Sequence, residues 1–465
     1  MTAPSSEAIT KALSSLHPEL HLITAGDLAA RDPGEHPDNF GAGILAAPSS
    51  QQAAKSLIEW ASSNNVAIVP HGGRTSLAGG CVSERGQVIL SSQRLNKIIA
   101  INVEEQTAVV ESGVTLQALQ EAAAEHGLTT GIDLPSRGTA TIGGLVNTNA
   151  GGLLAFRNGV IRHQVLGLEA ILPDGSIFSD LTRVVKVSAG PDIKQMLIGA
   201  EGALGFTTSV VVKLEPLRQN RATAMLAVPD AKTALAIAAH LKAQAGLTLE
   251  ACELMWEDYI RDHAKLRSFD LSFIPEGAQA LILEVSAASE EAAISGLEEA
   301  LAEVWEELGI LDGVVAQSMT QAKTMWVLRE ESSFYYALYN NPPSYDVSLP
   351  PATLDTYVEG LRARLYAIDE SYHAYVYGHI ADGNLHITVK IDYPSDKAEI
   401  ERIEDAIYQG VRASGGSFSA EHGVGFEKRY GYEHHVDPVK KQLSLALKKL
   451  IDPQNLFNPG KVPFA

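Results

Sequence analysis

The chain has 465 residues, 45% of them hydrophobic, with 36 Lys and Arg against 56 Asp and Glu and a net charge of −20. That length supports two or three domains with sizeable cores, while the acidic balance excludes a nucleic-acid or anionic-lipid binder and obliges any acid-binding pocket to carry its own positive charge. Two cysteines, Cys81 and Cys252, fit a reducing compartment without a disulfide framework, and no run of roughly 18 apolar residues marks a transmembrane helix.

The opening stretch, MTAPSSEAITKALSSLHPEL, lacks the basic and apolar regions of a signal peptide, so a cytoplasmic location is expected. From about residue 40 to 215, short Val/Ile strands alternate with glycine clusters. The first cluster, PHGGRTSLAGG (70–80), follows the predicted strand VAIVP. Its glycines uncover main-chain N–H groups and Thr75 and Ser76 add hydroxyls, a pattern suited to cradling a pyrophosphate. A Rossmann loop would open a helix here; CVSERGQVILSS instead turns into a strand, so that fold is excluded. Two further clusters, TIGGLVNTNAGG (141–152) and IGAEGALGFTT (198–208), suggest one long diphosphate-bearing ligand lying along this region.

From about 216 to 412, longer helical patterns such as AKTALAIAAHLKAQAG alternate with strand-like runs such as AQALILEVS. An antiparallel sheet covered by helices is predicted. Near its end, GHIADGNLHITVKID (378–392) reads as a hairpin with Ala-Asp-Gly-Asn as a four-residue turn. Pairing Ile380 with Leu385 sets His379 directly opposite His386, roughly 5 Å apart at Cβ. Two imidazoles so placed can share a metal ion, or be ordinary hairpin histidines. Asp382 reads as a turn former or as a residue that orients ligands.

From about 413 to 465, glycine clusters return, followed by the basic helix VKKQLSLALKKLI and NLFNPGKV. In SAEHGVGFEKR (419–429), Glu421 and His422 are adjacent in a glycine-rich turn. Two histidines and one carboxylate leave coordination positions open, as at a catalytic divalent metal.

Taken in order, P-x-GG-x-TSL-x-GG, TIGG…NAGG, GAEGALG, H-x-ADGNLH, SAEHGVG and NPGKV resemble the FAD-binding family named for vanillyl-alcohol oxidase and p-cresol methylhydroxylase. Within it, the resemblance is to the D-2-hydroxy acid dehydrogenase branch, which includes D-lactate, glycolate and D-2-hydroxyglutarate dehydrogenases. It runs from about residue 40 to the end. It implies an α+β fold: a two-subdomain FAD-binding domain (1–215), a cap domain whose antiparallel sheet is covered by helices (216–412), and a C-terminal segment (413–465) that completes the FAD and active sites.

By matching positions, Gly72, Gly73, Arg74, Thr75, Ser76, Gly79 and Gly80 would hold the pyrophosphate, with Pro70 and His71 also counted among the cofactor-binding residues. Pro135, Ser136, Gly138, Gly143, Gly144 and Asn149 would line the flavin side, Glu201, Gly202 and Phe206 would continue the site, and Asn458 would close it. Some relatives attach flavin through a histidine directly after the GG of the first loop; Arg74 stands there, so FAD is expected to be non-covalent, with His71 a packing or hydrogen-bonding residue.

The same resemblance makes His379, His386 and Glu421 ligands of a divalent metal (zinc, with manganese or iron as alternatives) and His422 the base. Arg329 would take the substrate carboxylate, its planar fork suiting that group. Ser333 and Asn384 complete the expected substrate contacts. In PPSYDVSLP, Ser344 stands where relatives usually carry lysine, so one cationic contact is missing or is supplied from elsewhere. The implied reaction is oxidation of a small 2-hydroxy acid, of the D-2-hydroxyglutarate or D-lactate type, to the 2-oxo acid by hydride transfer to flavin N5. The implied acceptor is an electron-transfer flavoprotein, a quinone or a cytochrome; peripheral attachment to the inner membrane would follow from some of these. A homodimer is expected. The alternatives are a flavin oxidase of another alcohol, a zinc hydrolase with the glycine loops as scaffold, and a non-catalytic flavin-binding subunit of a glycolate oxidase-like complex.

Overall fold

A computed structural model describes residues 5–461, so Val462 of the NPGKV motif lies outside the described residues. The chain divides into two compact units: Met1–Leu217 together with Glu421–Ala465, and Arg218–Ala420. The return to the first unit comes at Glu421, eight residues later than the expected start of the C-terminal segment at 413. Ser417 bridges Ser348, and the Ala420 N–H is donated to Asp346 Oδ2 at 2.9 Å, which keeps 413–420 with the second unit.

The first unit has two sheets. β1 (Leu20–Thr24), β2 (Ile44–Pro48), β3 (Ile68–His71) and β4 (Val88–Ser91) form one, in the order β1-β2-β4-β3, with the last three parallel. The crossover from β2 to β3 is the helix Gln51–Asn64. Ser50 caps it by accepting the Ala53 N–H, and Asn65 ends it in the left-handed region. Its Ala54, Leu57, Ile58 and Ala61 recur at helical spacing and are buried in one cluster with Ile68, Val88 and Leu90.

The second sheet contains β5 (Ile98–Asn102), β6 (Thr107–Glu111), β7 (Leu128–Thr130), β8 (Val165–Ile171), β9 (Ile177–Asp180) and β10 (Phe206–Pro216). Its order is β5-β6-β10-β8-β9, with β7 also paired to β10. The C-terminal segment adds to the first sheet: the Ile68 N–H is donated to the Leu456 carbonyl (2.8 Å) and the Asn458 N–H to that of Ile68 (2.7 Å). Strand β3 therefore delivers the first glycine loop beside the NPGK turn.

The second unit is built on a seven-stranded antiparallel sheet of β11 (Arg221–Val228), β12 (Thr248–Met255), β13 (Gln279–Ser286), β14 (Asp312–Val315), β15 (Ser344–Ser348), β16 (Ala374–His379) and β17 (Asn384–Val389). Its order is β14-β11-β13-β12-β16-β17-β15. Helices Glu257–Arg267 and Met319–Glu330 pack their Tyr259, Ile260, Met325 and Leu328 with Met225, Met255, Ile282, Tyr375 and Tyr377 of the sheet. The mixed helix-and-sheet class and the helix-covered antiparallel sheet are as expected.

One detail differs. The β16–β17 hairpin pairs His379 with Asn384 and Tyr377 with His386, so the two histidines are not directly opposed. The loop is Ile380–Gly383, one residue earlier than expected, and Asn384 belongs to a strand. Strand β15 accounts for the difference: it pairs along β17 as far as Ser348 opposite Asn384, drawing that residue into the ladder. Gly383 takes the turn at φ +81°, where a Cβ would also collide with the Leu349 carbonyl oxygen.

Candidate functional site

In the first unit, the glycine loops surround an open cavity. Pro70, His71, Gly72, Ser76, Gly80, Gly143, Gly144, Glu201, Gly202 and Phe206 line it, as do Ser112, Asn147 and Thr148, which the sequence reading did not single out. The remaining expected residues serve the loops themselves. A Cβ on Gly73 would run into the Thr139 carbonyl oxygen, so glycine here lets two loops close on each other. Gly79 turns at φ +67° and Arg74 lies over the Phe40 ring. Asn149 ends the helix Ile142–Thr148 in the left-handed region and accepts the Arg162 N–H. Pro135, Ser136 and Gly138 form a turn that does not line the cavity; its Ser136 carbonyl accepts the N–H groups of Thr139 and Ala140. Thr75 is part-buried in the first loop and likewise does not line the cavity.

Asn458 ties the walls together. Its Nδ2 donates to the carbonyls of Gly80 (3.1 Å) and Glu201 (2.8 Å), and its Oδ1 accepts from Lys461 (2.7 Å). Glu201 accepts the N–H groups of Val424 and Gly425 at 2.8 and 2.7 Å, yet burial pushes its carboxyl up to about 7. Burial also pushes the Lys461 ammonium down to about 8, the Cys81 thiol up to about 11 and the His71 imidazole down to about 3. The neutral His71 donates through Nε2 to the Cys81 carbonyl at 2.7 Å, the loop role expected of it. A glycine-lined wall and a buried Ser112 hydroxyl that has no hydrogen-bond partner among the described residues fit a polar dinucleotide.

The second unit presents a different chemistry. Alternation along antiparallel strands puts Glu253 of β12, Tyr375, Tyr377 and His379 of β16, Asn384, His386 and Thr388 of β17, and Ser344, Asp346 and Ser348 of β15 on one face. The His379 and His386 rings meet on the diagonal, with centroids 5.5 Å apart. Asn384, on β17 opposite His379, is buried, and neither atom of its amide has a hydrogen-bond partner among the described residues. Leaving such a buried group unmatched costs roughly 1–3 kcal/mol, and the amide could both donate to and accept from a bound ligand. Asp382 accepts the Asn384 N–H at 3.2 Å, the role of a turn former.

Arg329, at the end of helix Met319–Glu330, is buried. Its Nε donates to Glu253 Oε2 at 2.7 Å, and its guanidinium lies over the Tyr377 ring, 4.9 Å from the centroid. His379 Nδ1 is 2.7 Å from the other oxygen, Glu253 Oε1. Burial disfavours the Glu253 charge, but His379 and Arg329 outweigh it and hold the carboxyl below the usual range. A carboxylate only accepts, so His379 donates to it through a proton on Nδ1, which leaves Nε2 as the acceptor atom of the ring. Arg329 Nη2 stands 3.5 Å from that Nε2. An imidazole lone pair backed by a carboxylate is a good donor for a divalent metal.

Ser333 is exposed in the turn Ser332–Ala337. Ser344 is hydrogen-bonded to Thr388 (3.0 Å) and the Pro342 carbonyl. Lys390 continues the β17 ladder through its N–H bond to the His373 carbonyl; its ammonium lies 4.7 Å from the Tyr375 centroid and 3.2 Å from Asp262. Of the expected residues in the returning segment, Glu421 accepts the Gly152 N–H at 2.8 Å within the first unit, and His422 is part-buried beside it in the chain.

A glycine-lined nucleotide cavity and an antiparallel sheet bearing histidines and a buried arginine define a flavoprotein oxidoreductase. The comparisons place it more closely: residues 42–180 match the FAD binding domain and residues 217–462 match the C-terminal domain of FAD linked oxidases, so the chain belongs to the FAD-linked oxidase family. D-2-hydroxyglutarate dehydrogenase of Xanthomonas citri pv. viticola is 33% identical over 90% of this chain and 88% of its own length. The mitochondrial D-2-hydroxyglutarate dehydrogenase of Rattus norvegicus is 32% identical over 90% and 77%. Substrate-bound p-cresol methylhydroxylase has the same fold, with a TM-score of 0.73 and 17% identity over 98% of this chain and 97% of its own. Among the described residues, no helix is long and apolar enough to cross a membrane.

Proposed function

We propose that the protein is a metal-assisted FAD enzyme that oxidises a D-2-hydroxy acid, of the D-2-hydroxyglutarate class, to the 2-oxo acid. The observation that carries the reading is the set of groups at one sheet face of the second unit: two histidines on a diagonal, a buried amide without a hydrogen-bond partner among the described residues, and a buried arginine from the helix Met319–Glu330. Relatives named for D-2-hydroxyglutarate support the substrate class.

His379 and His386 would hold a divalent metal together with Glu421. Chain connectivity supports the third ligand: Ala420 is bonded to Asp346, the residue paired with His386, and Glu421 is one peptide bond further on. Bound metal supplies Lewis acidity that lowers a chelated hydroxyl pKa, and bound FAD supplies the hydride acceptor at N5. Asn384 orients the hydroxy acid, and Arg329 offers its remaining N–H groups to the C1 carboxylate. His422 takes the hydroxyl proton as general base while the C2 hydrogen and its electron pair depart, leaving the carbonyl. For a dicarboxylate, Lys390 stands on the face of Ser344 and Thr388 and supplies the cation absent at Ser344.

The test is removal of metal by chelator with turnover, metal content and bound FAD measured together. Turnover should be lost with FAD retained, and should return on adding zinc, manganese or ferrous ion. Full turnover by metal-free protein would refute the metal-assisted reading.

A further inference from the structure

The sequence motifs give the Glu253 carboxylate no role, yet it touches two residues that have one. Its side chain is 1% exposed. One oxygen meets His379 Nδ1 and the other meets Arg329 Nε, each at 2.7 Å. It lies on the central strand β12, in register with His379, so the backbone fixes it as firmly as its partner.

We infer that Glu253 is a positioning residue that couples the two halves of the site, orienting His379 toward a divalent metal and Arg329 toward the substrate carboxylate. This inference rests on the metal-assisted reading above.

The argument is one of charge and valence. A metal at His379 Nε2 would bring a second cation to an imidazole whose neighbour is already the Arg329 guanidinium, 3.5 Å away. Glu253 supplies negative charge to both. It also fixes the tautomer: with the proton on Nδ1, facing Glu253, the ring's lone pair is on Nε2, the atom that would ligate a metal. An amide in its place cannot serve both partners, because a single carbonyl oxygen would have to accept from both while its NH₂ group faced another donor. Losing an outer carboxylate of this kind typically costs about 10- to 100-fold in metal affinity.

The experiment is a competitive titration of metal-free, FAD-loaded protein with cobalt or zinc against a chromophoric chelator, comparing wild type, Glu253→Gln and His386→Ala. The expected result for Glu253→Gln is metal affinity about 10- to 100-fold weaker, with an increased KM for the hydroxy acid even at saturating metal. Affinity and KM both within about twofold of wild type would overturn the inference. His386→Ala keeps the two failures apart. If it also leaves metal affinity unchanged, the metal centre itself is wrongly placed; if it alone loses metal, only the role of Glu253 fails. Should Glu253→Gln not fold, Glu253→Asp carries the test: it keeps the charge but is too short to reach both partners, so weaker metal binding supports the coupling and unchanged binding refutes it.

Discussion

His386 stands opposite Tyr377 and His379 opposite Asn384, so the two imidazoles meet on the diagonal of the β16–β17 hairpin with ring centroids 5.5 Å apart. The diagonal leaves the Asn384 amide directly across from His379, on the face where a ligand would bridge the rings. Replacing Asn384 with Leu removes an amide that has no partner among the described residues. The fold should tolerate this, because no protein hydrogen bond is lost, whereas flavin reduction by hydroxy acid should slow at least tenfold. Thermal unfolding and single-turnover reduction measured side by side check both halves.

FAD should be released intact by acid precipitation. No side chain around the first loop is suited to a covalent flavin bond: Arg74 follows the glycine pair, His71 is hydrogen-bonded to a carbonyl, and burial raises the Cys81 thiol to about 11. Flavin remaining on the denatured chain would contradict this.

Arg329→Ala should damage stability as well as binding. It leaves Glu253 buried with only His379 for a partner, and breaking a buried ion pair costs about 3–5 kcal/mol. Arg329→Lys keeps the charge but not the planar fork, so it should fold better and still raise the KM for hydroxy acids about tenfold. Equal KM values for wild type and the lysine variant would remove Arg329 from substrate binding.

Lys461 gives the cofactor site a pH dependence. Burial lowers its ammonium from 10.5 to about 8, so in the folded apoprotein its positive charge is present below about 8 and lost above. Between those values the unfolded chain binds more protons than the folded one, so this group adds stability as pH rises through the window. Attraction for the FAD diphosphate runs the other way and should weaken above about pH 8. FAD affinity measured across that range should fall in wild type and stay flat, and weak, in Lys461→Met.

The architecture and the glycine loops that line the first unit's cavity were legible because their signals are local. Glycine clusters mark loops, as around Gly72 and Gly143, and alternation marks the hairpin strands. What was not legible depends on a third strand or a distant one. The hairpin register follows from the pairing of β15 with Asn384, which no residue between 378 and 392 encodes. Glu253 lies 126 positions from His379. Its only local signal is shared with Glu250: two carboxylates inside LEACELM, a run otherwise fit for a buried strand, where ionised groups require partners. Gly73 and Asn149 show the reverse: a correct motif whose residues shape the loop rather than line the cavity.

His422 and Glu421 should fail in different ways. His422→Asn should keep FAD and metal and lose flavin reduction about 10²–10⁴-fold, the usual contribution of a general base. Glu421→Gln should lose metal first. Near wild-type reduction by His422→Asn would place the base elsewhere.

The most direct test of the central claim is anaerobic mixing of the purified, metal-loaded protein with a panel of D- and L-2-hydroxy acids while flavin absorbance is followed. The account predicts rapid bleaching by the D-acids, fastest with D-2-hydroxyglutarate, and none with the L-enantiomers. Flavin that stays oxidised with every D-2-hydroxy acid, or that is reduced equally by both enantiomers, would contradict it.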